Sequence, residues 1–420
     1  MRTISIGLLA LAAVLALAAG APQAVAQDKV FKVGSLGPFT GPSARVGEEF
    51  KNSINMVFEA VDYKVGDYKI EFVWIDSESD AEKGARAYEQ AVVRDEIAVG
   101  YGGWHSWVSL SCMEVAAKYK IPHFFAFGAG SEINDKYQAD PEKYKYWVGK
   151  GWPTAYKLSI GYVDALEDSI KRGDWKPAAK KAAIFGVDND WGRNFGNSLG
   201  DQLKQAGWEI VSYDWVPLGE TDFVPLINKL KNANVALVAG TMSDPPSVSS
   251  FTKQTRESNL KSLVVSDGLG WVGEWYELTG DYSDYILDMI PQWTTPKSQE
   301  FKEAFTKKYN MDPGPSTAGL CYDTASFFLK VLQTALATYG DLTRETVTKV
   351  AEEMVIPGKL TLTEGIMMRE YKYDADSFPD LVVGNDYYMF PVIQYMNGES
   401  LMVWPPHVKT TDLAIPDNIK

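Results

Sequence analysis

The sequence predicts an α/β fold of two doubly wound parallel-sheet lobes with helices on both faces. Three observations predict it. Strand-like apolar runs alternate with helical periodicity, the alternation breaks and restarts once, and 420 residues exceed what one core usually organises.

In the first half, Phe31 to Leu36 reads as a strand, and Phe50, Ile54, Val57 and Val61 then recur on one helix face. Glu71 to Ile75 is the next strand. Ala81 to Val93 is a helix with Ala81, Ala85, Tyr88 and Val92 on one side. Strand Ile97 to Val99, helix Val108 to Tyr119 and strand Ile121 to Phe127 complete the first series. The turn-rich stretch YKYWVGKGWP, Tyr144 to Pro153, is a candidate crossover. The rhythm restarts with strand Lys181 to Val187, helix Asn194 to Gln205, strand Glu209 to Trp215, helix Phe223 to Lys231, and strands Val235 to Ala239 and Leu263 to Ser266. Tyr285 to Trp293 and the long helix Tyr322 to Leu336 return toward the first lobe. Tyr387 to Val403 reads as strands around the turn Asn397-Gly398.

The N-terminus has one cation at Arg2, an apolar stretch from Ile4 to Ala19 and the small-x-small pattern Ala24-Val25-Ala26, which together predict a signal peptide cut near Ala26. Neither cysteine, Cys112 or Cys321, lies at that point, so a lipid-anchored N-terminus is not expected. Free diffusion in a periplasm is the expected location. Loss of Arg2 leaves a formal charge one unit more negative than the −14 of the whole chain, which repels nucleic acid. A disulfide between Cys112 and Cys321 and two buried thiols both remain open.

Open parallel sheets bind ligands at the loops beyond the carboxyl ends of their strands. Here those loops are Trp104 to Trp107, Gly128 to Gly130, Asn189 to Trp191, Thr241 to Asp244, and Asp267 to Trp271. They supply glycine for close approach, indoles for contact, and helix N-termini whose free N–H groups suit a carboxylate. Trp104, Trp107, Trp152, Trp191 and Trp271 could wall one pocket fit for a flat ring, an apolar tail or a methylammonium group.

Val33-Gly34-Ser35-Leu36-Gly37-Pro38-Phe39-Thr40-Gly41-Pro42 and Gly219-Glu220-Thr221-Asp222-Phe223, with Asp190-Trp191-Gly192 and Tyr322-Asp323, give the chain its resemblance to a known family. It resembles the periplasmic solute-binding proteins of the Leu/Ile/Val-binding family, the clamshell receptors of ATP-binding-cassette importers. The resemblance implies a type I periplasmic-binding fold with a three-strand hinge. Its lobes would be residues 27–148 with 290–380 and 149–289 with 381–405, followed by a tail, 406–420. It also implies a monomer that takes no cofactor and delivers its solute to a membrane permease. Carried onto this chain, Ser106, Trp107, Gly128 and Ala129 would meet a ligand carboxylate, and Trp191 and Asp267 would close over side chain and ammonium. Two departures, the WHSW loop where the family is rich in Ser and Thr and Met242 near a family Tyr, weigh against an ordinary aliphatic amino acid. The expected solute is amino acid-like or an aromatic or aliphatic carboxylate. The alternative is a sensor that reports amides, urea or amino acids to a regulator.

Gly196-Asn197-Ser198-Leu199-Gly200 matches G-x-S-x-G but lies inside a helical pattern, and the sole later histidine, His407, sits in a Pro-rich tail. Gly268 to Gly273 fits G-x-G-x-x-G at a late strand, where ligand-loop glycines are expected rather than a dinucleotide site. His105, His123 and His407 show no metal spacing, and Asp188 and Asp190 lack the rest of a calcium loop. His105 either donates to a bound anion or faces water. No nucleophile and base share a loop cluster, so no enzyme is expected.

Overall fold

The computed structural model describes residues 29–271, 274–384 and 386–419. The expected signal peptide, residues 1–26, lies outside the described residues.

Two sheets organise the chain. The first holds β1 (Lys29–Gly37), β2 (Lys64–Val65), β3 (Tyr68–Asp76), β4 (Val99–Gly102), β5 (His123–Ala126) and β6 (Trp147–Lys150), in the order β2-β3-β1-β4-β5-β6. The second holds β7 (Lys181–Val187), β8 (Glu209–Val216), β9 (Leu237–Thr241), β10 (Leu263–Asp267), β11 (Leu287–Met289), β12 (Val392–Met396) and β13 (Glu399–Trp404), in the order β13-β12-β11-β10-β9-β7-β8. Both sheets are mostly parallel, with antiparallel pairing at one edge, where β2 meets β3 and where β12 meets β11 and β13. The last hairpin turns at Asn397 and Gly398, both with positive φ, the twist a tight hairpin requires.

The chain passes between the sheets three times: after β6, after β11 and before β12. Burial explains where the elements fall. The helix Ala44–Glu59 buries Val46, Phe50, Ile54 and Val57, and it stops before Val61 because Asp62 and Tyr63 take left-handed backbone. The stretch expected as a crossover contains a strand, β6. Trp147 is buried and stacks on the His123 ring at 4.3 Å, so the segment belongs to the first sheet's core and the crossing comes after it. β4 likewise runs past Val99 to Gly102. Tyr101 is pulled into the core, its hydroxyl 2.8 Å from Thr324 Oγ1.

The helix Asp190–Gln205 contains the G-x-S-x-G pattern, and its glycines make room for rings. A Cβ at Gly196 would lie 2.8 Å from Trp215, and one at Gly200 would strike the Tyr213 ring. Cys112 and Cys321 are both buried free thiols, and burial pushes both pKa values up. Among the described residues no helix is long and apolar enough to cross a membrane.

Candidate functional site

The loops that leave β4, β5, β7, β9 and β10 converge between the lobes. They converge on a small pocket lined by Trp104, His105, Ser106, Trp107, Phe127, Ala129, Trp152, Trp191, Ser243 and Trp271. All five indoles expected from the sequence line it, with Ser106 and Ala129. Gly102 and Gly103 have φ of 81° and 107°, so glycine alone turns the chain sharply enough to present Trp104 and start the helix Ser106–Tyr119.

The indoles divide by what their N–H groups do. Trp107 Nε1 donates to the Ser79 carbonyl at 3.1 Å and Trp191 Nε1 to Thr241 Oγ1 at 3.2 Å. These two therefore offer ring surface. Trp152 Nε1 and Trp271 Nε1 are buried with no partner among the described residues, as is Ser243 Oγ. A buried donor without an acceptor costs about 1–3 kcal/mol, and all three groups belong to residues that line this one pocket. The rings brace each other edge-on: Trp104 lies 5.5 Å from Trp271 and 5.9 Å from Trp152, centroid to centroid.

Gly128, Met242 and Asp267 do not line the pocket. Gly128 packs against the start of the neighbouring helix, where a Cβ would sit 2.7 Å from Ser109 Oγ. Met242 is buried, and its neighbour Ser243 takes the wall position instead. Asp267 is 2% exposed and faces the interior of its own lobe. It accepts from Tyr162 Oη at 2.8 Å and Thr241 Oγ1 at 3.0 Å. Burial, and then the neighbouring Asp288, raise its pKa well above the usual carboxylate range. The Gly268-Leu269-Gly270 segment does cradle an acid, and that acid is internal: the amides of Gly268 and Gly270 donate to Asp288 at 3.2 and 2.8 Å. Val272 and Gly273, the rest of that motif, lie outside the described residues.

His105, Phe127 and Ser243 join the site beyond those singled out as ligand contacts. His105 does not face water. It is 3% exposed, and Ser43 Oγ, 3.0 Å from its Nε2, donates on to the Ser243 carbonyl of the other lobe. Burial lowers its pKa to about 3, so the ring is neutral. The strand-end rule pointed to all three neighbourhoods; which side chain turns inward needed the fold. Other polar bonds also span the cleft. Ser131 Oγ donates to Asn194 Oδ1 at 2.7 Å, Asn194 Nδ2 donates to Glu132, and Arg45 pairs with Glu274 at 3.4 Å.

The pocket combines ring faces with buried N–H and O–H donors. Among the described residues its lining carries no carboxylate. Elsewhere Asp188 pairs with Arg193 at 2.6 Å. No group of three His, Cys, Asp or Glu among the described residues is arranged to hold a metal.

Comparison with known proteins agrees with this geometry. A family model described as periplasmic binding protein matches residues 30–376. The Leu/Ile/Val-binding protein homolog 7 of Brucella abortus is 24% identical over 415 residues, which cover 96% of this chain and 98% of that one. Among solved structures, a putative branched-chain amino acid ABC transporter protein from Silicibacter pomeroyi superposes with a TM-score of 0.74 at 17% identity. It covers 93% of this chain and 100% of that one. An ABC transporter solute-binding protein from Rhodopseudomonas palustris BisB5, in complex with 3,4-dihydroxy benzoic acid, gives 0.71 at 21% identity over 88% of this chain and 95% of that one. With the matched region running from β1 through β11, and so through most of both sheets, the chain belongs to the periplasmic binding protein family of solute receptors.

Proposed function

We propose that this receptor captures a single-ring aromatic carboxylate between its lobes and delivers it, chemically unchanged, to the permease of an ABC importer. The observation that carries the reading is the pairing of indole walls with unpartnered donors and no lining carboxylate. An α-amino acid brings an ammonium that needs a counter-charge. Asp267 and Asp244, the two acids expected to supply it, are committed, the first to Tyr162 and Thr241 and the second to the amides of Ser247 and Gly219. A carboxylate without an ammonium instead suits Trp152 Nε1, Trp271 Nε1, Ser243 Oγ and the helix that begins at Ser106, whose N-terminus favours negative charge. Each stacked ring face adds roughly 0.5–2 kcal/mol. The co-crystallised 3,4-dihydroxy benzoic acid of the R. palustris relative is consistent with this solute class.

Export after cleavage near Ala26, location in the periplasm, a monomeric state and the absence of catalysis complete the proposal. Closure turns on the three crossings between lobes 27–148 with 290–380 and 149–289 with 381–405, with 406–420 as a tail. A thermal-shift series with benzoate, hydroxybenzoates, leucine and isoleucine tests it, since a ligand raises stability with the logarithm of its concentration over Kd. The aromatic acids are expected to raise the Tm and the amino acids to leave it in place. A shift with leucine or isoleucine alone would transfer the site to amino acids. Mass spectrometry should recover the bound acid unaltered.

A further inference from the structure

Trp271, a wall of the pocket, is held by its own carbonyl. Thr317 Oγ1 donates to that oxygen at 2.7 Å. Thr317 sits in the π-helical turn Pro315–Gly319, which leads into the helix Leu320–Tyr339 packed beside Ala44–Glu59, whereas Trp271 follows β10 of the second sheet. The bond therefore ties one lobe to the other. The same threonine hydroxyl also meets Oε2 of Glu49, a buried acid on the helix Ala44–Glu59. That carboxyl further accepts the Gly314 amide on Oε2 and Arg45 Nε on Oε1, both at 3.1 Å.

A threonine hydroxyl has one hydrogen to give. Here two oxygens claim it, the Glu49 carboxyl and the Trp271 carbonyl. Both contacts are satisfied together only when one of those oxygens brings a hydrogen. A peptide carbonyl cannot, but a carboxyl can. With a proton on Glu49 Oε2, Glu49 donates to Thr317 and Thr317 donates to Trp271, while Gly314 and Arg45 keep their acceptors. With Glu49 ionised, Thr317 turns its hydrogen to the carboxylate and the Trp271 carbonyl faces a lone pair.

We infer that Glu49 and Thr317 are positioning residues for the Trp271 wall, and that closing the lobes takes up one proton from solvent onto Glu49. The charged and titratable groups around Glu49 are few. Arg45 is shared with Glu274 of the other lobe and bonds the Asp312 carbonyl, Asp312 itself pairs with Lys302, and the buried Cys321 thiol lies close by. Burial raises Glu49 to about 7 against the opposing pull of Arg45, Thr317 and Gly314, so the uptake falls in the neutral range. In the open form Thr317, Gly314 and Arg45 still serve Glu49 but Trp271 no longer competes. The proton is therefore held more tightly in the closed form, and the closed-to-open ratio rises as pH falls, by up to about tenfold per pH unit.

The inference rests on the receptor reading, yet it can be tested without any solute, so its failure and that of the aromatic-acid assignment are separable. Small-angle scattering of the full chain between about pH 8.5 and pH 5.5 reads closure directly. The wild-type radius of gyration is expected to fall through neutral pH. Glu49→Gln, whose amide nitrogen can donate to Thr317 but can no longer accept from Gly314, has no proton to exchange, and its radius should not change with pH. Thr317→Val should hold the expanded value, and Thr317→Ser should restore the wild-type profile. A wild-type radius that does not change with pH, or a Thr317→Val protein that keeps the wild-type profile, overturns the inference.

Discussion

Trp191 and Trp271 both wall the pocket, yet their side chains do different work. Trp191 uses its N–H on Thr241 and offers the ring, while Trp271 offers ring and donor together. Trp191→Ala is expected to weaken binding of an aromatic acid about tenfold, the value of one ring face, as calorimetry would show. Trp271→Phe keeps a ring but removes the donor. The five indoles were legible in the sequence because each stands within a few residues of a strand end, Trp107 and Trp191 in the first turn of the helix that follows. Asp267 stands at such a place too, yet its side chain turns into its own lobe. Its partner Tyr162 lies 105 positions away, and Asp288 comes from another strand, so nothing local announces that the carboxylate is already engaged.

Elements were legible where their periodicity was internal. Ala81–Val93 and Lys181–Val187 fall where the sequence places them, because one face of the helix is apolar and the strand is apolar after Lys181. β6 was harder to see, being a strand of four residues in a run of aromatics and glycines whose burial depends on β5 beside it. That pairing makes an acid-sensitive element. His123 Nε2 donates to the Gly102 carbonyl at 2.7 Å, so Nδ1 accepts from Tyr88 Oη at 3.0 Å and the ring is neutral. Burial lowers its pKa to about 4, against the opposing pull of Gly102. The unfolded chain, with an ordinary histidine near 6.5, binds more protons between those values. This contribution is therefore complete above pH 6.5 and is lost as pH falls toward 4. Denaturant midpoints measured across that window should drop less steeply for His123→Gln than for the wild type.

At the scale of the whole molecule, stability and closure meet at the crossings. Lys150, the last residue of β6, is fully buried and pairs with Asp380 at 2.9 Å, and Lys157 joins the same carboxylate at 3.2 Å. Asp380 also accepts the Thr154 amide, so one acid ties the first crossing to the chain on its way to the third. Burial lowers the Lys150 pKa and Asp380 offsets that effect. Asp380→Asn leaves the ammonium buried without its counter-charge and is expected to cost about 3–5 kcal/mol in urea unfolding. Alanine at exposed Arg369, paired with Asp386 in water, should cost under about 1 kcal/mol.

The sequence by itself determined the α/β alternation, its restart and the loops that carry the aromatic surface. Those features depend on periodicities of two and 3.6 residues and on turn chemistry, all of which act between near neighbours. Only the tertiary structure decided that Asp267 turns inward, that His105 is buried and neutral, and that Glu49 and Thr317 reach Trp271. The partners in each case lie on segments far apart in the chain, and the energy that settles them, desolvation against hydrogen bonding, exists only once the two lobes exclude water from between them.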